Sequence, residues 1–243
     1  MRFLKTLSLA STTFFASITF ANADINVVTS IKPVHSLVSG VMEGLATPDL
    51  IIDTGGSPHT YSLKPSQARQ LQNADIVFWI SPKLEAFLEK PIESIATNAL
   101  VLQLLETEGL LKVNFREGGA FDSHEHEHDE QDEHDEHDEH DEQDEHDEHD
   151  EHHADETDPH IWLDPLNAAI LVSHIADALS DSDPDNKQTY EANADAMLAK
   201  LDQLVDDVTK ELKPVQDRGY IVFHDAYQYF ERRFNVSAIG SIT

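Results

Sequence analysis

Three histidines occupy positions where parallel-sheet proteins commonly bind ligands, in loops beyond the carboxyl ends of predicted strands. They are His59, His160 and His224. Neutral imidazole binds Zn(II) well at neutral pH, and three imidazoles leave one tetrahedral position for a carboxylate or water. Their spacing alone does not distinguish metal ligands from ordinary, solvated or hydrogen-bonded loop histidines. We assign that role to His35 and His174, which lie within helical patterns.

Ten further histidines lie in one acidic tract, from Asp122 to Asp158, which has 22 acidic residues and no Lys or Arg. With almost no apolar side chains the tract cannot bury a core, so we predict a disordered insertion. It is either a solvated linker or a low-affinity metal collector, because it interleaves imidazoles with carboxylates. Its histidines are His124, His126, His128, His134, His137, His140, His146, His149, His152 and His153.

The charge balance favours cations as partners. The 243 residues contain 47 acidic and 16 basic side chains, a net charge of −31. Such a polyanion is repelled by nucleic acids and by anionic membrane surfaces. Outside the tract, 25 acidic residues face the 16 basic ones, so the remaining chain carries a net charge of only −9.

The N-terminus has the pattern of a cleaved export signal, residues 1–23. Arg2 and Lys5 precede an apolar run from Leu7 to Phe20, and Ala21–Ala23 supplies the small-x-small cleavage pattern. No later segment is apolar enough to span a membrane. The chain has no cysteine, which excludes disulfides and thiolate metal sites.

Short apolar strands alternate with helical patterns, which indicates an α/β fold with a mostly parallel sheet. A first lobe is expected over 24–121 and 159–183, interrupted by the tract at 122–158. The amphipathic run 184–212 predicts a helix of roughly 43 Å that bridges to a second lobe. That lobe, 213–243, contains one strand–helix–strand unit and is expected to be minimal or truncated. Strands are predicted at Ile25–Thr29, Leu50–Ile52, Ile76–Ile80, Leu100–Leu104, Tyr220–Phe223 and Val236–Ile239, and helices at Pro33–Glu43, Lys64–Asn73, Leu84–Ala96, Leu166–Leu179 and Asp225–Phe234.

Four sequence segments resemble those of ZnuA-type receptors, the zinc-binding proteins of ABC transporters. They are Ser30–Pro33, Gly56–Ser66, Asp158–Pro165 and Phe223–Phe230. Motif order and spacing agree from about residue 25 to 243, and an acidic His-rich insertion ahead of the second ligand is typical of the zinc members.

The resemblance implies two (βα) lobes joined by a long backbone helix, with metal in the cleft and little lobe closure. It implies a monomeric periplasmic receptor, not an enzyme, that delivers zinc to a membrane permease. His59, His160 and His224 would be the Zn(II) ligands. The tract would capture or sense zinc and pass it to them.

Some features leave alternatives open. Manganese-selective relatives usually have Glu in place of His224, so the third nitrogen ligand favours zinc, but a manganese or iron receptor is the nearest alternative. A zinc buffer or metallochaperone that acts through the tract is another. An enzyme is disfavoured because no HExxH or nucleophile motif occurs. The fourth ligand is not identified: Pro58 stands where some relatives have an acid, and the late acid of the family lies beyond Thr243.

Overall fold

The computed structural model describes residues 25–53, 55–116, 121 and 157–242. The expected signal peptide and all ten histidines of the acidic tract lie outside these residues. Thr157 and Asp158, which composition assigned to the disordered tract, are part of the ordered structure. Thr157 forms an antiparallel bridge with Asn114, and Asp158 is fully buried.

The first lobe is built on a parallel four-stranded sheet in the order β2-β1-β3-β4. Its two central strands, β1 and β3, are buried along their whole length. Their sequences are therefore continuous apolar runs, as expected for parallel strands covered on both faces. The strands are β1 (Val27–Thr29), β2 (Asp49–Leu50), β3 (Ile76–Trp79) and β4 (Leu100–Gln103).

Six α-helices accompany the strands in the described part of the chain. α1 packs against both α4 and α5, and Gly40 in α1 allows close approach of Met197 in α5. The helices are α1 (Lys32–Val41), α2 (Pro65–Gln72), α3 (Ala86–Ile95), α4 (Pro165–Ser182), α5 (Lys187–Leu212) and α6 (Gln228–Phe234). None of these helices is both long and apolar enough to cross a bilayer.

The long helix leads into a second, smaller unit. α5 has 26 residues, which corresponds to about 39 Å. It is followed by β5 (Tyr220–Val222) and β6 (Ala238–Ser241), a parallel pair connected by α6. The predicted α/β class, with its parallel sheet and long helix, is confirmed.

Two helices, α5 and α6, start three residues later than predicted. The long helix starts at Lys187 because a single 3-10 turn, Pro184–Asn186, precedes it. The last helix starts at Gln228, three residues later than expected, because the N–H of Ala226 bonds back to the carbonyl of His224 in a turn. This turn separates His224 from the helix that follows it.

Candidate metal site

The three candidate ligands lie in three separate loops. His59 sits in a 3-10 turn, Pro58–Thr60, after β2, and its N–H donates to Ser57 Oγ at 3.3 Å. His160 directly precedes the 3-10 turn that leads into α4. One residue, Phe223, separates His224 from the end of β5. The first lobe thus supplies two of the candidate ligands, and the second unit supplies the third.

The structure brings these three histidines together. One nitrogen from each ring can be chosen so that all three lie within 4.8 Å of one another. The ring centroids of each pair are 5.4 to 5.8 Å apart. Three nitrogens on one tetrahedral zinc, each at about 2.1 Å, would be about 3.4 Å apart. Small side-chain rotations therefore suffice to bind one ion.

The histidines line a cleft of about 380 Å³. His59 is exposed, His224 is half-buried and His160 is 4% exposed, so the site runs from the cleft mouth into the protein. Most of the wall is apolar, and the ring of Trp162 lies edge-on to His160 at 5.4 Å. No Asp or Glu is among the described residues that line the cleft, so these residues offer no carboxylate as a fourth ligand.

Asp158 orients His160. Its Oδ1 accepts the ring Nδ1–H at 2.7 Å and the backbone N–H of His160 at 2.9 Å. Because a carboxylate only accepts hydrogen bonds, this contact places the ring proton on Nδ1 and leaves Nε2 as the lone-pair donor. That is the tautomer which a metal in the cleft requires.

Helix α6 of the second unit is bonded to the loop that carries His160. The Tyr229 hydroxyl donates to the backbone carbonyl of Asp158 at 2.6 Å and accepts from the N–H of Val113 at 3.3 Å. Burial raises the pKa of Tyr229 above its ordinary value, so the hydroxyl keeps its proton for this bond. At the far end of α6, Arg233 makes two bonds of 2.6 Å to the buried carboxylate of Asp164.

Arg116 links the start of the acidic insertion to the second unit. Its guanidinium donates to both carboxylate oxygens of Glu231, at 3.2 and 2.6 Å, and lies 2.8 Å from Asp225. It also stacks at 4.1 Å from the ring of Phe121. The carboxylates raise the pKa of Arg116 despite its partial burial.

The remaining histidines of the described chain lie elsewhere. The ring of His35 bonds to the carbonyl of Pro48 at 3.1 Å and to Ser39 Oγ at 3.3 Å, as expected of a structural histidine. His174 lines a different surface depression, beside Asp177. Sequence reasoning missed the roles of Arg116 and Arg233, whose partners are distant in the chain.

A family model for ZnuA, described as "Zinc-uptake complex component A periplasmic", matches residues 27–243. The chain is 50% identical to the "High-affinity zinc uptake system protein ZnuA" of Brucella abortus (strain 2308), over all of this chain and 75% of that relative. It is 36% identical to the Yersinia pestis protein of the same name, over all of this chain and 73% of that one. The chain thus spans about three quarters of these relatives' length.

Solved structures share the fold. A crystal structure of ZnuA superposes with a TM-score of 0.68 at 24% identity, covering 89% of this chain and 70% of that one. The Zn(II)-bound AdcA of Streptococcus pneumoniae gives a TM-score of 0.65 at 24% identity, covering 89% of this chain and 39% of that one. At these identities, the structural likeness supports the architecture alone.

Proposed function

This chain belongs to the ZnuA family of periplasmic components of zinc-uptake complexes, and from this premise we propose that it is a receptor that binds Zn(II) through His59, His160 and His224. The observation that carries the proposal is the convergence of three imidazoles from two lobes in one cleft. Relatives named as high-affinity zinc uptake proteins support the choice of metal.

The ligand chemistry favours zinc over manganese. Three imidazole nitrogens suit the borderline-soft Zn(II), whereas Mn(II) prefers carboxylate and other oxygen ligands. The described residues lining the cleft offer no carboxylate. Zinc in this site keeps a fourth position for water or an acid from outside these residues.

The physiological role follows from the family. After export to the periplasm, the receptor would capture zinc as cargo and deliver it, as a monomer, to the permease of an ABC transporter. The site is suited to binding and release, since one of its three imidazoles, that of His59, is exposed at the mouth of the cleft.

A second role is proposed for the His-rich tract, as an auxiliary zinc collector that feeds the cleft. What favours it is the attachment of the tract: the Asn114–Thr157 bridge holds its flanks together, three residues from His160. Calorimetry on a variant lacking residues 122–155 tests this role. It should lose several weak sites and keep one tight site. Loss of the tight site would contradict the proposal.

The tight site is tested in the variant lacking residues 122–155, so that weak sites do not mask it. His59→Ala should abolish tight zinc binding in competition with a chromophoric chelator, and the same substitution in the full chain should abolish support of zinc-limited growth. His174→Ala is the matched control and should bind zinc like the parent. Unchanged affinity of the His59→Ala variant would overturn the assignment.

A further inference from the structure

Asp158 is in contact with two parts of the site at once. Its Oδ1 accepts from the ring and backbone of His160, while its Oδ2 accepts from Gln228 Nε2 at 3.1 Å. Gln228 is the first residue of α6, four residues after His224. The carboxylate therefore joins the loop of the second candidate ligand to the helix that follows the third.

The surroundings of Asp158 make this carboxylate a rigid support. It is fully buried, and its own N–H donates to the carbonyl of Val113 at 2.8 Å. Its carbonyl receives the Tyr229 hydroxyl. Every polar group of the residue is thus held, and its position is defined independently of any metal. A carboxylate fixed in this way restricts the imidazole that donates to it to one tautomer and one ring orientation.

We propose that Asp158 is a positioning residue of the metal site, which aims Nε2 of His160 into the cleft and, through Gln228, sets the distance between the loops of His160 and His224. The inference rests on the proposed function. It adds a residue that touches no metal yet tunes metal affinity. Outer partners of this kind typically contribute 10–100-fold in affinity.

The chain supplies a matched control in Asp164. Both aspartates are fully buried, both lie within four residues of His160, and both bond to a side chain of α6. Asp164 bonds to Arg233 and caps α4 through the N–H of Leu166, at 2.9 Å. Substitution of either aspartate removes a buried, hydrogen-bonded carboxylate. Only Asp158 touches a candidate ligand.

All variants are made in the protein that lacks residues 122–155. Zinc affinity is measured by competition with a chelator. The d–d absorption of the Co(II)-loaded protein is measured as well, because it reports the coordination geometry. Asp158→Ala should bind zinc 10–100-fold more weakly and change the Co(II) spectrum. Asp158→Asn, which keeps the shape and one acceptor oxygen, should fall between this variant and the parent. Gln228→Ala should weaken binding less than Asp158→Ala. Asp164→Asn should unfold at lower urea concentration while its zinc affinity and Co(II) spectrum stay those of the parent.

The outcomes separate this inference from the proposed function. A parent protein that binds zinc tightly, with Asp158 variants of equal affinity and identical Co(II) spectrum, refutes the positioning role alone. Equal losses of zinc affinity in the Asp158→Asn and Asp164→Asn variants also refute the positioning role, because a general loss of stability would then explain both. If Asp158→Ala does not fold, the Asp158→Asn variant decides by the same criteria. A parent without tight zinc binding refutes the proposed function itself.

Discussion

Glu85 makes the stability of the first lobe depend on pH. It is fully buried just before α3, where its carboxylate accepts from the hydroxyl of Ser30 and from the backbone N–H groups of Ile80 and Ser81. These donors favour the charged form, but desolvation outweighs them and raises the pKa of Glu85 to about 7. Ser30 immediately precedes Ile31 and Lys32, which line the cleft that contains the three candidate ligands.

The sign and size of the effect follow from linkage. The folded protein holds the proton of Glu85 up to about pH 7, whereas the unfolded chain releases it near 4.5. The free energy of unfolding therefore falls as the pH rises from 4.5 through 7. At about 1.4 kcal/mol per pH unit, the interval of about 2.5 units corresponds to about 3 kcal/mol.

Glu85→Gln isolates this contribution. The amide oxygen can accept from the two N–H groups, and the amide nitrogen can donate to Ser30 Oγ, so the fold should be retained. Urea unfolding of both metal-free proteins between about pH 4.5 and about pH 8 is the assay. The stability of the variant relative to the parent should rise by about 3 kcal/mol across this range, since other titrating groups cancel. Parallel stability curves would refute the reasoning.

Three further predictions concern packing and metal choice. Arg233→Ala should lower the free energy of unfolding, measured with urea, by about 3 kcal/mol, because it leaves the buried carboxylate of Asp164 without its cation. Arg233→Lys should recover part of this loss. An unchanged free energy of unfolding in Arg233→Ala would contradict the importance of the pair. A Cβ on Gly40 would overlap Met197 Sδ, so Gly40→Ala should lower the free energy of unfolding by about 1–2 kcal/mol. The same substitution should lower it by less in a protein that already carries Met197→Ala, and additive losses in the double variant would contradict the overlap. His224→Glu should lower zinc affinity relative to manganese in competition binding, and an unchanged ratio would contradict its role as a ligand.

Much of the fold could be predicted because its signals are local. The parallel strands β1 and β3 are contiguous apolar runs, and the three candidate ligands each follow or precede a recognisable element. Composition did not locate the end of the predicted disordered tract, because Thr157 and Asp158 belong to the ordered structure. Asp158 is the last of the 22 acidic residues that composition assigns to the tract, so counting charges could not reveal its full burial or its bonds to His160.

The contacts between the units could not be predicted because they join distant parts of the chain. Arg233 lies 69 residues from Asp164, and Arg116 lies 115 residues from Glu231. Each of these charged residues is compatible with a solvated surface when considered alone. Glu85 has the same ambiguity, since a single acid at the start of an amphipathic helix usually faces water.

The most direct test of the account is the position of zinc itself. Anomalous diffraction at the zinc absorption edge, from crystals of the zinc-loaded protein lacking residues 122–155, locates the ion without assumptions about its ligands. If the three histidines bind the ion, one strong peak should lie about 2.1 Å from a nitrogen of each of His59, His160 and His224. A strong peak bound by other residues, with none between these three rings, would contradict it.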